Sequence, residues 1–299
     1  MISGFFDKID LWFIKVLSSI IVNFMEGIVN NIEKVIDFAS GQVVETPENF
    51  LGGIPYDQII ASNTGVISTV VMPIAMGIFS IIVTYELISL LISKNSLQDV
   101  DYTVIFIWMI KVAIGAYILL NAPDIINAIF AIGASMATGS IGAIPPIDFD
   151  PVEMYDALVA GGSSGQLIGL MFLTFFTSLA MKVLSIVMGI AVLGRMIESL
   201  LLMVASPIPM STFASSKHSS IGENYLKNLA SIALQGFLIV AILGIYTAII
   251  SAQFTNIIDA INNDNSPTWQ ITLVLIYGGV VAQMMFKTRE VAKLMVGAS

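Results

Sequence analysis

The chain has 299 residues, 57% of them hydrophobic and 11% charged, with a formal net charge of −9 and a mean hydropathy of +0.91. A soluble globular domain carries roughly a quarter of its residues as charges, so the composition excludes that class and predicts an all-α polytopic membrane protein. Cysteine is absent and His218 is the lone histidine, which excludes disulfide frameworks, thiol catalysis and Cys/His zinc sites as classes, and no cofactor is expected.

In chain order, Phe5, Ile9, Trp12, Phe13, Val16, Ile20, Phe24, Ile28, Ile32 and Val35 recur at steps of mostly three or four, with charges between them. That spacing predicts an amphipathic helix over 1–38. Its longest apolar part, Leu11–Met25, contains Lys15 and is shorter than the ~20 residues a crossing needs, so it is expected to lie in the interface or pack on a neighbour. Met1–Asp10 mixes Asp7, Lys8 and Asp10, so no cleavable signal is expected and the first span would direct insertion. Residues 40–64, with Pro47, Gly52, Gly53 and Pro55, are expected to form a polar linker. Together 1–64 make an extracytoplasmic segment ahead of a membrane domain over 65–299.

Within that domain five spans are expected, at about 66–92, 104–120, 167–193, 229–252 and 269–286. The segment 125–141 is rich in small residues and leads into Pro145-Pro146, which predicts a surface or re-entrant helix inside an outer loop over 121–166. After the third span, Met196–Ala205 is too short to cross. It is expected to be a re-entrant or interfacial half-helix, 196–206, that stops at Ser206-Pro207-Ile208-Pro209, because each proline removes a donor and pushes the residue before it out of the α region. A cytoplasmic loop over 207–228 follows, with the next helix opening at Ser219 or Ser220 and Glu223 completing a capping box. Gln235-Gly236 and Gly278-Gly279 are expected to permit close helix approach.

Orientation follows from the cations. With the N-terminus outside, the cytoplasmic pieces carry Lys94, Arg195, Lys217, Lys227, Lys287, Arg289 and Lys293 against Asp99, Asp101, Glu223 and Glu290, while most of the acids fall outside. The positive-inside rule therefore predicts N-out, C-in.

Four charges fall inside apolar segments: Glu86, Lys111, Lys182 and Glu198. On a hairpin closed at 93–103, Glu86 and Lys111 sit at equal depth, ~10 Å from its closed end, and are expected to pair, since an unpaired charge there costs ~3 kcal/mol or more. The alternative for Lys111 is to snorkel to an interface. For Lys182 the nearest candidate partner is Glu198, with the lining of a hydrated path as the alternative. The basic turn and loop, with Arg195, Pro207, Pro209, Lys217 and Lys227, is the expected docking place for cytoplasmic partners; it lacks an aromatic ladder for nucleic acid. No Walker glycine loop, HExxH helix or GxSxG elbow is present, so the chain is expected not to be an enzyme.

Three stretches, Val70–Asn95 (VVMPIAMGIFSIIVTYELISLLISKN), Gly194–Phe213 (GRMIESLLLMVASPIPMSTF) and Ser219–Tyr246 (SSIGENYLKNLASIALQGFLIVAILGIY), make the chain resemble the TrbL-type polytopic membrane subunits of type IV secretion systems, in particular the short forms of Gram-positive conjugative elements. That resemblance implies a scaffold or channel component of the bacterial cytoplasmic membrane with an outward N-terminus and about five spans. It also implies homo-oligomers and assembly with ATPases and extracytoplasmic proteins to move DNA with its relaxase. It assigns no catalytic residue. The rival expectation is a secondary transporter or ion channel with an intramembrane Glu/Lys path; a weaker third is a holin-like protein, which the long loops argue against.

Overall fold

The structure is a computed structural model that describes residues 2–54, 56, 65–93, 102–263 and 265–298, of which 2–7 and 93 by their backbone alone. Residues 94–101 of the hairpin loop expected at 93–103, and 55 and 57–64 of the linker expected at 40–64, lie outside the described residues. The described chain is all-α, as the composition requires: α1 (Ile2–Val43), α2 (Met72–Ser93) entered through a π-helical turn at Ile67–Val71, α3 (Tyr102–Leu120), α4 (Ala122–Ile141), α5 (Pro151–Gly161), α6 (Ser164–Ala205), α7 (Pro207–Met210), α8 (Ser219–Asn262) and α9 (Thr268–Val296). Among the described residues seven helices are long and apolar enough to cross a bilayer, α1 and α4 in addition to the five expected segments.

One difference from the sequence expectation has a clear cause. The half-helix expected at 196–206 does not exist as a separate element: it forms the last turns of α6, a single helix of 42 residues. Leu193–Ala205 consists mainly of strong helix formers, and the charge that suggested a surface, Arg195, is 3% exposed. The helix expected to open at Ser219 or Ser220 does so at Ser219, which leaves 207–218 as the turn and puts Lys227 on α8.

The chain divides into two compact units. One comprises Met1–Gly41, Thr138–Val192 and Ile239–Lys287; the other Gln42–Ala137, Leu193–Leu238 and Thr288–Ser299. In the first, α1 buries Leu17, Ile21, Met25, Ile28, Ile32 and Val35, a stripe at helical spacing that shares only its last members with the stripe expected from the sequence. Trp12 and Val16 are exposed instead. α5 opens where Asp150 accepts the N–H groups of Val152 (2.8 Å) and Glu153 (3.3 Å) with Pro151 at the first helical position, two features that satisfy free donors at a helix start. α9 closes on α6 at Gly278, where an added Cβ would lie 2.8 Å from Met181 Sδ; Gly279 has nothing within 4 Å, so of the expected glycine pair only the first is a contact.

The core of the second unit gathers Ile67, Ala122, Ile126, Phe130, Met203, Met210, Leu229, Ile232 and Ala233. Here α4 crosses α8 at backbone distance: a Cβ on Gly133 would lie 2.5 Å from the carbonyl oxygen of Ala233.

Candidate functional site

The second unit builds its most polar locus from α2, α3 and the turn that joins α6 to α8. α6 ends at Ala205, and Pro207 occupies the first turn of α7, where its missing N–H is unneeded. A 3-10 turn, Ser211–Ala214, continues it. This 207–214 segment packs against both α2 and α3. Gly115 permits the approach, since a Cβ there would lie 2.9 Å from Ala214 Cβ and 3.0 Å from Phe79 Cε2. Where the helical ladder is broken between apolar helices, the freed backbone groups must be satisfied inside the protein, and the side chains here do this locally. Ser206 donates to Met203 O (2.7 Å), Ser211 to Ile208 O (2.6 Å) and Thr212 to Pro209 O (2.8 Å), while Thr212 Oγ1 accepts Gly222 N–H (3.1 Å). The largely buried, folded-in element of this region is thus the two-proline turn over 207–215, with Ser216 exposed at its end.

Glu86 on α2 receives that turn. Its Oε1 accepts the Ser216 N–H (2.7 Å) and the Ser215 hydroxyl (3.0 Å). Ser215, 2% exposed, in turn accepts the N–H groups of Lys217 (3.2 Å) and His218 (3.1 Å). It is therefore Ser215, ahead of the expected Ser219 or Ser220, whose hydroxyl collects free N–H groups at the entrance to α8. Lys111 on α3 does not pair directly with Glu86: its Nζ makes a long contact of 3.5 Å to Ser216 Oγ. Equal depth was legible from the hairpin, but both charges are spent on a third element. Lys217 Nζ donates to Tyr85 Oη (3.2 Å) and lies 5.2 Å from the centre of the Tyr85 ring, a hydrogen bond joined to a cation–π contact. A cleft of about 310 Å³ lies beside this locus, lined by Lys111, Gly115, Phe213, Ser215 and Ser216 among others.

The other sequence-selected residues fall elsewhere. Arg195 is buried against α8, its Nε donating to Ile232 O (3.0 Å) and one terminal nitrogen to Ala233 O (3.5 Å). Gly236 makes room, since a Cβ there would lie 2.8 Å from Arg195 Nη2. Arg195 is thus a helix-to-helix fastening rather than a free docking cation. Glu198, the candidate partner of Lys182, pairs with Arg289 of α9 instead. Beside that pair, Gln235 Nε2 donates to Thr288 Oγ1 (3.2 Å). Lys182 and Lys227 are exposed, and Pro207 is buried. Sequence reasoning missed Ser215, Ser216, Tyr85 and Gly115; only Gly115, a glycine inside an apolar helix, carried a signal. Among the described residues no cluster of His, Cys, Asp or Glu could hold a metal.

A family model described as TrbL/VirB6 plasmid conjugal transfer like protein matches residues 28–207, more than half of the chain. The chain belongs to the TrbL/VirB6 conjugal transfer family. The match runs from within α1 to the first proline of α7, so it contains Glu86, Lys111, Arg195 and Glu198. The chain matches no curated protein and no solved structure. As a TrbL/VirB6 member with several bilayer-length apolar helices it is a multi-pass membrane component of a conjugal transfer system. That membership implies association with other components of such a system.

Proposed function

We propose that this chain is a scaffold or channel subunit of a conjugative type IV secretion machine in the bacterial cytoplasmic membrane, helping relaxase-bound single-stranded DNA to cross it. The observation that carries the reading is the family match over 28–207. The role is passive: ATPase partners supply the energy, extracytoplasmic proteins continue the path, and copies of this chain form a membrane platform. The chain is oriented N-out, C-in, a reading supported by the cations at Lys217, Lys227, Lys287 and Lys293 and preserved by any odd number of crossings. The exposed end of the two-proline turn, Ser216–His218, faces the cytoplasm and is where cytoplasmic machinery docks. The engagement of Glu86 and Lys111 with Ser215 and Ser216 speaks for a fixed joint and against a transporter path through them.

An in-frame deletion tests the role: transfer of the element should be lost and restored by the chain supplied in trans, and undiminished transfer would overturn it. Orientation is tested separately by a cysteine at Ser216, which should react with an impermeant reagent only from the cytoplasmic side.

A further inference from the structure

α1 and α6 run parallel, side by side, over most of the apolar length of α6. Asp10 accepts from the Ser164 hydroxyl; the rings of Phe24 and Phe175 are 5.4 Å apart; a Cβ on Gly27 would lie 3.2 Å from Ser178 Oγ. Ser185 Oγ donates to Asn31 O (3.3 Å), and a Cβ on Gly189 would lie 3.8 Å from Phe38. The residue numbers rise together through all five contacts, so each turn of α1 between Asp10 and Phe38 has a counterpart at the same level of α6.

Before Leu17, α1 exposes Leu11, Trp12, Phe13 and Val16, and after Asp37 it exposes Phe38; between Leu17 and Asp37 the outer faces of the two helices are nevertheless opposites. On α6, the exposed side chains between Ile168 and Ile190 are Ile168, Phe172, Phe175, Phe176, Leu179, Val183, Ile186 and Ile190, with Lys182 the one polar exception. That is a face for lipid. On α1, every exposed position from Leu17 to Asp37 is polar: Ser19, Asn23, Asn30, Glu33, Lys34 and Asp37. With half-buried Glu26, five of these fall at 19, 23, 26, 30, 33 and 37, alternating steps of four and three that keep one straight stripe facing the same way. A face of this kind cannot border hydrocarbon, where each carboxylate is expensive, yet it stands level with a face that requires it.

From this juxtaposition we infer that the polar stripe of α1 borders a water-filled lumen at bilayer depth, closed by further copies of this chain. Beside Glu33 and Asp37 the chain supplies one wall itself, since both line a cleft with Ile141, Pro145, Pro146 and Thr247; the remainder of the stripe has no such wall, and closed rings of identical subunits repeat the same face around an axis. The sign of the stripe argues for a wet lumen over a dry seam: Glu33 and Asp37 recur on every copy, and like charges pressed together in a low-dielectric seam repel strongly. Glu26, Glu33 and Asp37 outnumber Lys34, so the lumen suits water and small cations and repels a phosphate backbone. A translocating DNA strand therefore does not run along α1. The inference goes beyond the transfer role and does not depend on it.

The chain contains no cysteine, so single cysteines can be read without background. Full-length protein in native membranes would carry one at Asn23, Asn30 or Glu33, and for comparison at Leu179 or Ile186 on α6 and at Ile28 in the core. A charged, water-soluble methanethiosulfonate should modify the α1 stripe at least ~100-fold faster than Leu179→Cys or Ile186→Cys, the penalty for bringing a charge to membrane depth, and its cationic form should react faster than its anionic form. A bifunctional maleimide should link Asn23→Cys copies into covalent dimers, the largest product that one cysteine per chain allows. Stripe cysteines as slow as those on α6 would overturn the inference, because the face is then covered by a partner or by lipid. α6 cysteines as fast as the stripe would overturn it too, because this part of α6 then lies outside the bilayer. Labelled but never cross-linked stripe cysteines would refute the shared lumen.

Discussion

Alanine at Gly133 puts a methyl group where α4 and α8 touch through their backbones. The added Cβ would lie 2.5 Å from Ala233 O and 2.7 Å from its carbonyl carbon, against ordinary contacts that begin near 3.4 Å, so the helices must part by about 0.9 Å. No side chain can rotate away to absorb this, which places the overpacking cost at the upper end of the usual ~1–3 kcal/mol. Replacing a helical glycine with alanine returns ~1 kcal/mol, leaving a net loss of ~1–2 kcal/mol. Gly139, on the same helix, has nothing within 4 Å of its virtual Cβ, so Gly139→Ala collects the propensity gain without the clash. The two variants should therefore differ by roughly 2–3 kcal/mol, a factor of about 30 to 150 in the unfolding equilibrium. Thermal denaturation in detergent, followed by the monodisperse fraction on size exclusion, reads the difference directly. Gly133→Ala as stable as Gly139→Ala would mean that α4 and α8 are not in backbone contact at this crossing.

Removing the carboxylate in Glu86→Ala leaves the Ser216 N–H and Ser215 hydroxyl without their acceptor and should cost ~1–2 kcal/mol; Ser215→Ala should couple to it by at least ~0.5 kcal/mol in a double-mutant cycle, and strict additivity would show that the turn is not held this way. Arg195→Met should be better tolerated than Arg195→Lys, because methionine removes a buried cation that has no carboxylate whereas lysine keeps the charge with fewer donors; the reverse order in the same melt would show that the charge itself is needed. Between Glu198 and Arg289, each partly exposed, either single reversal should cost no more than ~1 kcal/mol and the double reversal should restore it; failure of the swap to rescue would assign the pair no energetic role.

The all-helical form was legible because lipid leaves the backbone little choice; the number of crossings was not, since five were expected and seven helices have the length and apolarity for one. What the sequence concealed involves groups with no side-chain signature. Glu86 and Lys111 were visible as charges at matched depth, but the acceptor role of Glu86 is toward a backbone N–H 130 positions away, which any residue type supplies. Arg195 was read as a surface charge because an isolated arginine ordinarily lies near water; its partners are carbonyls of α8, with a glycine opposite, and only Gly236 hinted at close approach. In α1 two apolar stripes wind round the same helix, and periodicity alone could not tell which is buried. The structure chooses Leu17–Ile21–Met25, and that choice turns the Asn/Glu face outward.

That face bears on where the first 43 residues lie. A helix resting on the outer surface needs one apolar side against the headgroups and one polar side in water, and α1 alone would satisfy this. Its partner does not: α6 is level with it from Ser164 to Gly189 and presents aromatic and aliphatic side chains to its surroundings through the same turns. If α6 crosses there, α1 crosses with it, and the segment after Val43 emerges on the cytoplasmic side instead of the outer side expected for 1–64. Asn49 is exposed and lies a few residues after α1, so an Asn49→Cys chain should react with an impermeant thiol reagent only after the cytoplasmic face is opened; with Ser216, bonded to Glu86 near the far end of α2, on that same side, α2 and α3 would then enter and leave by one face. Reaction of Asn49→Cys in intact cells would keep α1 outside, and it would remove the ground for a lumen at bilayer depth while leaving the joint at Glu86 untouched.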